Sequence, residues 1–102
     1  MAVTAAERSR VLPDVPTVRE FVPGFEISPW IGVGAPRNTP AGIVDKLNRE
    51  INAALADPKI KARISELGAT AISGSPADFG KFIADETEKW AKVVKFSGAK
   101  AE

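Results

Sequence analysis

Thr39-Pro40-Ala41-Gly42-Ile43-Val44-Asp45-Lys46-Leu47-Asn48-Arg49-Glu50-Ile51-Asn52-Ala53-Ala54-Leu55-Ala56-Asp57-Pro58 is the stretch on which the reading of this chain turns. Thr39-Pro40 is a helix start: a threonine hydroxyl can cap the first free N–H groups, and a proline at the next position gives up no needed donor. Ile43, Val44, Leu47, Ile51, Ala54 and Leu55 then recur at helical spacing and form one apolar stripe. Asp57-Pro58 repeats the start signal, so a second helix follows at once. Its inward positions are Ile60, Ile64 and Leu67, and Gly68 supplies a left-handed stop.

Downstream, Ala69 to Ser73 reads as a short strand. Ser75-Pro76-Ala77-Asp78 is a third start, a capping box with proline at the first helical position. The last helix carries Phe79, Phe82, Ile83, Trp90, Val93 and Val94 on one side, and Gly98 ends it. Upstream, Leu12-Pro13-Asp14-Val15-Pro16 is held extended by its prolines. Thr17-Val18-Arg19-Glu20 is another capping box and predicts one or two helical turns, stopped by Pro23-Gly24. Phe25 to Ala35 reads as strand, with Pro29 at a bend, an edge or a start. Gly32 and Gly34 share one face of it, and close packing by another element is preferred there over ligand approach.

The expected fold is therefore helix-rich α/β, with about three main helices and two or three short strands. Residues 1–102 make a single partial domain. Residues 1–24 form an extended start and short helix, 25–36 a strand, and 39–98 a helix-helix-strand-helix run.

Composition narrows the functions. Of 102 residues, 44% are apolar and 26% charged, as in an ordinary globular protein. Fourteen basic residues against thirteen acidic ones leave a net charge of +1, with no basic face of the kind that nucleic acid requires. Lys89, Lys92, Lys95 and Lys100 crowd the end, where they suit a helix C-terminus. The absence of cysteine and histidine removes thiolate chemistry, the commonest general base and the commonest zinc ligand. No apolar run approaches the ~20 residues of a membrane span. Gly32-Val33-Gly34 lacks the third glycine and the immediate helix of a dinucleotide fingerprint. No catalytic residue, metal ligand or cofactor is expected, and no second carboxylate is spaced to pair with Glu86 as acid and base.

Glu86 itself falls inside the apolar stripe, one turn after Phe82 and one turn before Trp90. A carboxylate placed so needs a donor, for which Trp30, Arg37, Arg63 or a backbone amide are candidates. A structural role is preferred for Glu86 over a functional acid, and for Trp90 a place in the core. Trp30 stays open between core and recognition.

The whole series, in order, resembles the C-terminal region of the receptors of tripartite tricarboxylate transporters, the Bug receptors. The matching residues are Ala2-Val3-Thr4, Glu7-Arg8-Ser9, Leu12-Pro13-Asp14-Val15-Pro16-Thr17-Val18, Glu20, Pro23-Gly24-Phe25-Glu26, Trp30, Gly32 and Ala35-Pro36. They continue through Thr39-Pro40, Ile43-Val44, Leu47-Asn48, Ile51-Asn52, Ala54-Leu55, Asp57-Pro58, Gly68, Ser75-Pro76, Phe79, Phe82, Glu86, Trp90 and Val93-Val94. The resemblance implies part of a type II periplasmic-binding-protein lobe and a receptor, not an enzyme, for small organic acids. It also implies handover to membrane transporter subunits. Ala2-Val3-Thr4 resembles a strand of the second lobe and Phe25 to Ala35 the return crossing.

The family's main carboxylate-binding loops lie upstream of the matching region, so no ligand-binding residue is carried over, Arg8 included. The chain is expected to act as a receptor fragment without a complete ligand site; the alternative is a stand-alone protein-interaction module. The family is periplasmic, whereas the charged start of this chain has no signal-peptide core and points to the cytoplasm. Exposed strand edges would favour a homodimer of the fragment.

Overall fold

A computed structural model describes residues 1–100. Helix α1 spans Ala41–Ala56, α2 Pro58–Glu66 and α3 Pro76–Ser97, preceded by a single 3-10 turn at Val18–Glu20. Helix α1 is central: α2 and α3 each pack on it and not on each other.

The punctuation in the sequence explains most of these boundaries. Asp57 is at once the last cap of α1 and the first cap of α2. Its carboxylate accepts from the N–H of Lys59 at 2.8 Å and of Ile60 at 3.3 Å. Helix α2 closes through two backbone bonds, Gly68 N–H to Ser65 O at 2.9 Å and Ala69 N–H to Ile64 O at 3.1 Å. That pairing requires the left-handed backbone found at Gly68, where φ is 76°. Ser75 and Asp78 exchange bonds in a full capping box at the start of α3, and Gly98 ends the helix at φ 69°.

The α1 start differs by one residue. Pro40, not Thr39, holds the cap position, and the Thr39 hydroxyl donates back to Pro36 O at 2.7 Å. A tight turn over Pro36–Thr39 recruits that hydroxyl first. Asn38 adopts φ 68°, which a type II turn asks of its third residue and asparagine tolerates.

The expected strands are not formed. Residues 25–36 and 69–73 belong to no ladder, and the one bridge among the described residues is parallel, Val3 with Thr17. A strand exists only through hydrogen bonds to a neighbour. Ile27 N–H does reach Thr4 O at 3.0 Å, so the N-terminal residues lie beside the start of the return segment. From Trp30 to Ala35, no backbone group is bonded within the described residues. Residues 70–73 are in the same condition.

The interior is equally incomplete. No apolar side chain among the described residues is buried, and Thr17 alone is, at 3% exposed. The accessible surface is 8697 Å², where a compact monomer of this mass presents about 5,500 Å². The radius of gyration is 16.7 Å, against about 13 Å for a compact domain of this length. The half-buried side of α1 is Val44, Asn48, Ile51, Asn52 and Leu55, whereas Ile43 and Leu47 of the expected stripe are about half exposed. The two asparagines hold the segment that leads into α3. Asn48 and Asn52 both donate to Gly74 O at 2.9 Å, and Gly74 N–H returns a bond to Asn52 at 3.4 Å.

Candidate functional site

Two surface features are built well enough to have a role. The first is an aromatic clasp joining the return segment to α3. Trp30 meets Phe79 and Phe82 edge-on, with centroids 5.7 and 5.1 Å apart, while the two phenylalanines stack at 6.4 Å. Gly32 permits the approach, because a side chain there would collide with the Phe79 ring. Gly34 faces open space, so close packing accounts for the first glycine only. Between this clasp and α1 lies an apolar trough of about 620 Å³.

Glu86 sits at the end of the clasp, its side chain 16% exposed. Its donors are on its own helix: Lys89 Nζ at 3.0 Å and Trp90 Nε1 at 3.1 Å. The hydrogen bond from Lys89 holds the carboxyl below its ordinary range against the opposing effect of burial, helped by Trp90 and, more weakly, by Trp30. Arg63, one of the remote candidates, pairs instead with Glu66 at 2.9 Å. Lys89 also lies 5.8 Å from the Trp90 ring centroid, a cation–π distance. Glu86, Trp30 and Trp90 thus share one cluster, whose chemistry is a satisfied ion pair with no free acid.

A substitution series reads that arrangement. Glu86→Gln should keep an acceptor for Trp90 and lower the urea midpoint slightly. Glu86→Ala should lower it most, and Glu86→Leu should fall between, since packing replaces part of a lost polar pair. Equal midpoints for all three and the parent would mean that solvent serves Lys89 and Trp90 as well as Glu86 does.

The second feature is a more polar recess of about 590 Å³, with Thr4, Arg8, Ser9, Arg10, Lys61 and Ser65 along its walls. Of the three cations in the recess, Arg8, Arg10 and Lys61, Arg8 has its guanidinium committed. It donates through Nε at 2.9 Å and Nη2 at 2.7 Å to the two oxygens of Glu20, a bidentate pair. The pairing raises the Arg8 pKa. Glu20 also accepts from Thr17 N–H at 3.0 Å, so the same carboxylate closes the 3-10 turn. Arg8 first, then the Thr17 amide, bring its pKa down to about 2.

A carboxyl depressed in the folded state stabilises it fully above the unfolded value. That contribution is lost as pH falls through the folded value. Between pH 4.5 and about 2, the parent should therefore lose stability faster than Glu20→Gln, as followed by circular dichroism melts. The side chains are 48% and 40% exposed, so the difference should shrink in high salt. Parallel pH profiles would show that the pair does not persist in solution.

Among the described residues no group of acids, histidines or cysteines could hold a metal ion, and no helix is long and apolar enough to cross a membrane. This arrangement of capped helices is similar to part of a periplasmic binding protein. The comparisons agree. The structure superposes on the periplasmic binding protein BugD with a TM-score of 0.87 and 36% identity, over 99% of this chain and 35% of that one. It superposes equally, at 0.87 and 40% identity, on Rpa4515 of R. palustris solved with adipate, over 96% of this chain and 33% of that one. BugT of Bordetella pertussis is 41% identical over 101 residues, 98% of this chain and 31% of that protein. A UPF0065 protein encoded in a tcbD–tcbE intergenic region of Pseudomonas sp. strain P51 is 40% identical over 96 residues, 92% of this chain and 29% of that protein.

Residues 1–99 match the tripartite tricarboxylate transporter family receptor model, and the chain belongs to that family. It spans about a third of the length of these relatives.

Proposed function

We propose that this chain serves as the closing segment of a periplasmic receptor for small organic acids, which passes its ligand to the membrane subunits of a tripartite transporter. The receptor works by binding and delivery, without catalysis. The observation that carries the reading is the unbroken match over residues 1–99 to a receptor family, together with the adipate held by a neighbour that aligns with 96% of the chain. Within such a receptor, the segment contributes wall and scaffold. One of the two guanidinium groups in the polar recess, that of Arg8, is already paired with Glu20, and this reading assigns the principal carboxylate contacts to the rest of the receptor.

Titration calorimetry tests both halves of this reading. The isolated chain should show no low-micromolar affinity for adipate, citrate, succinate, glutamate or aspartate. A full-length receptor carrying this segment should bind at least one of them. Tight binding by the isolated chain would overturn the division of labour. A full-length receptor indifferent to every organic acid tried would overturn the ligand class.

A further inference from the structure

The serines and threonines of this chain divide by place. Thr17, Thr39, Ser75, Thr87 and Ser97 each use the hydroxyl in a hydrogen bond to the chain itself. Thr4, Ser9, Ser28, Ser65 and Thr70 make no such bond among the described residues, and all of them line the polar recess. Outside the recess, Ser73 alone is in the same condition. Arg10 and Lys61, in the same walls, likewise have no ion pair among the described residues. Glu7 is the one acid there, and neither cation is bonded to it.

The wall that carries Arg10 is held in place. Arg8, spent on Glu20, also donates through Nη1 to Pro13 O at 3.4 Å, and Leu12 N–H closes a turn onto Ser9 O at 3.2 Å. Val11 lies over Gly68 at the end of α2, with a methyl 3.9 Å from where a Cβ would stand. Ser9 on this loop and Ser65 on α2 are half-buried. A hydroxyl can turn its proton toward a ligand, so the recess holds unspent donors on more than one element. Its volume of about 590 Å³ is within the range of small-molecule sites, about 300–1,000 Å³.

Two cations and several hydroxyls suit an anion of more than one charge and many acceptor positions. A carboxylate offers a single charge and about four acceptor positions. A phosphate group carries about −1.5 to −2 at neutral pH and three strong acceptor oxygens. Val3, Leu12 and Ile27 supply apolar wall beside the donors, which leaves a place for an organic substituent. We propose that the recess is a site for a phosphate group, free or as a small ester, held by Arg10 and Lys61 with the hydroxyls of Ser9 and Ser65. The site is distinct from the organic-acid contacts assigned above to the rest of the receptor, and it stands or falls independently of them.

The test is a titration of the full chain, followed by amide nuclear magnetic resonance at neutral pH with chloride holding the ionic strength constant. The probes are inorganic phosphate, phenyl phosphate and, as a dianion without phosphorus, succinate. Amide shifts at 9–11 and 61–70 should saturate with one of the two phosphates. Tighter binding of phenyl phosphate would identify an ester as the occupant, and tighter binding of inorganic phosphate the free ion. Arg10→Gln and Lys61→Gln should each weaken binding about three- to tenfold, the effect of a charge-assisted contact reduced by solvent. Glu7→Gln should strengthen it by removing a like charge. Arg63→Gln should leave it unchanged, since that guanidinium pairs with Glu66 outside the recess. Arg10→Lys and Lys61→Arg keep the charge and should retain most of the affinity, which separates a lost contact from a lost fold. Shifts that rise without saturating, or an equal loss in Arg63→Gln, would overturn the proposal as general charge screening. Succinate binding at these residues as tightly as either phosphate would overturn the phosphate assignment.

Discussion

Trp30→Ala should cost about 2 kcal/mol and release α3 from the return segment. A buried tryptophan truncated to alanine typically costs about 3–5 kcal/mol, and Trp30 is 43% exposed, which removes roughly half of that. What remains is concentrated, because Trp30 bridges two rings of α3 edge-on, and such pairs contribute about 0.5–1.5 kcal/mol each beyond simple burial. With no buried apolar residue elsewhere among the described residues, little else ties α3 to residues 25–36. Helix content should survive, since the caps of α1, α2 and α3 are local. Urea denaturation combined with near- and far-ultraviolet circular dichroism would show near-ultraviolet signal lost and far-ultraviolet signal largely kept. A change below about 0.5 kcal/mol, the level of ordinary surface substitutions, would mean that the clasp does not form in solution.

Gly32→Ala should destabilise by about 1–3 kcal/mol, the usual cost of overfilling a fitted contact. The added methyl would meet the Phe79 ring closer than carbon contacts allow, and the ring cannot withdraw freely because Trp30 lies against it. Two controls make the result specific. Gly34→Ala, which meets nothing within 4 Å, should be nearly silent. In a Phe79→Ala background, the penalty at Gly32 should largely disappear, as a double-mutant cycle can show. Equal costs at Gly32 and Gly34 would point to backbone entropy and remove the packing argument.

What the sequence made legible was whatever a few adjacent residues decide among themselves. Asp57-Pro58 and Ser75-Pro76-Ala77-Asp78 carry their own caps, and both helices begin where those residues place them. Gly68 and Gly98 end theirs with the left-handed backbone that glycine provides. At Thr39 the same logic slipped by one residue, because a turn through Asn38 competed for the hydroxyl. Strands were beyond such reasoning: Phe25 to Ala35 has the composition of one, but pairing is a property of the neighbour.

At the candidate site, position in the helical stripe located Glu86. Of the expected donors, Trp30, Arg37, Arg63 or a backbone amide, Trp30 does act weakly on Glu86, but the main donors are Lys89 and Trp90, three and four residues on, where helix geometry brings side chains together. The asparagine clamp on Gly74 was missed altogether. Its one signal was two polar residues, four apart, on the inner side of α1.

The carboxylate between the two indoles has a practical corollary. The chain contains no tyrosine and only these two tryptophans, so all of its long-wavelength ultraviolet emission arises beside Glu86. One indole rides on α3 and the other on the return segment, and both are within reach of the same negative charge. Because Trp90 is bonded to Glu86 while Trp30 packs edge-on against Phe79 and Phe82, the intrinsic emission of the chain reports on the clasp and its carboxylate together.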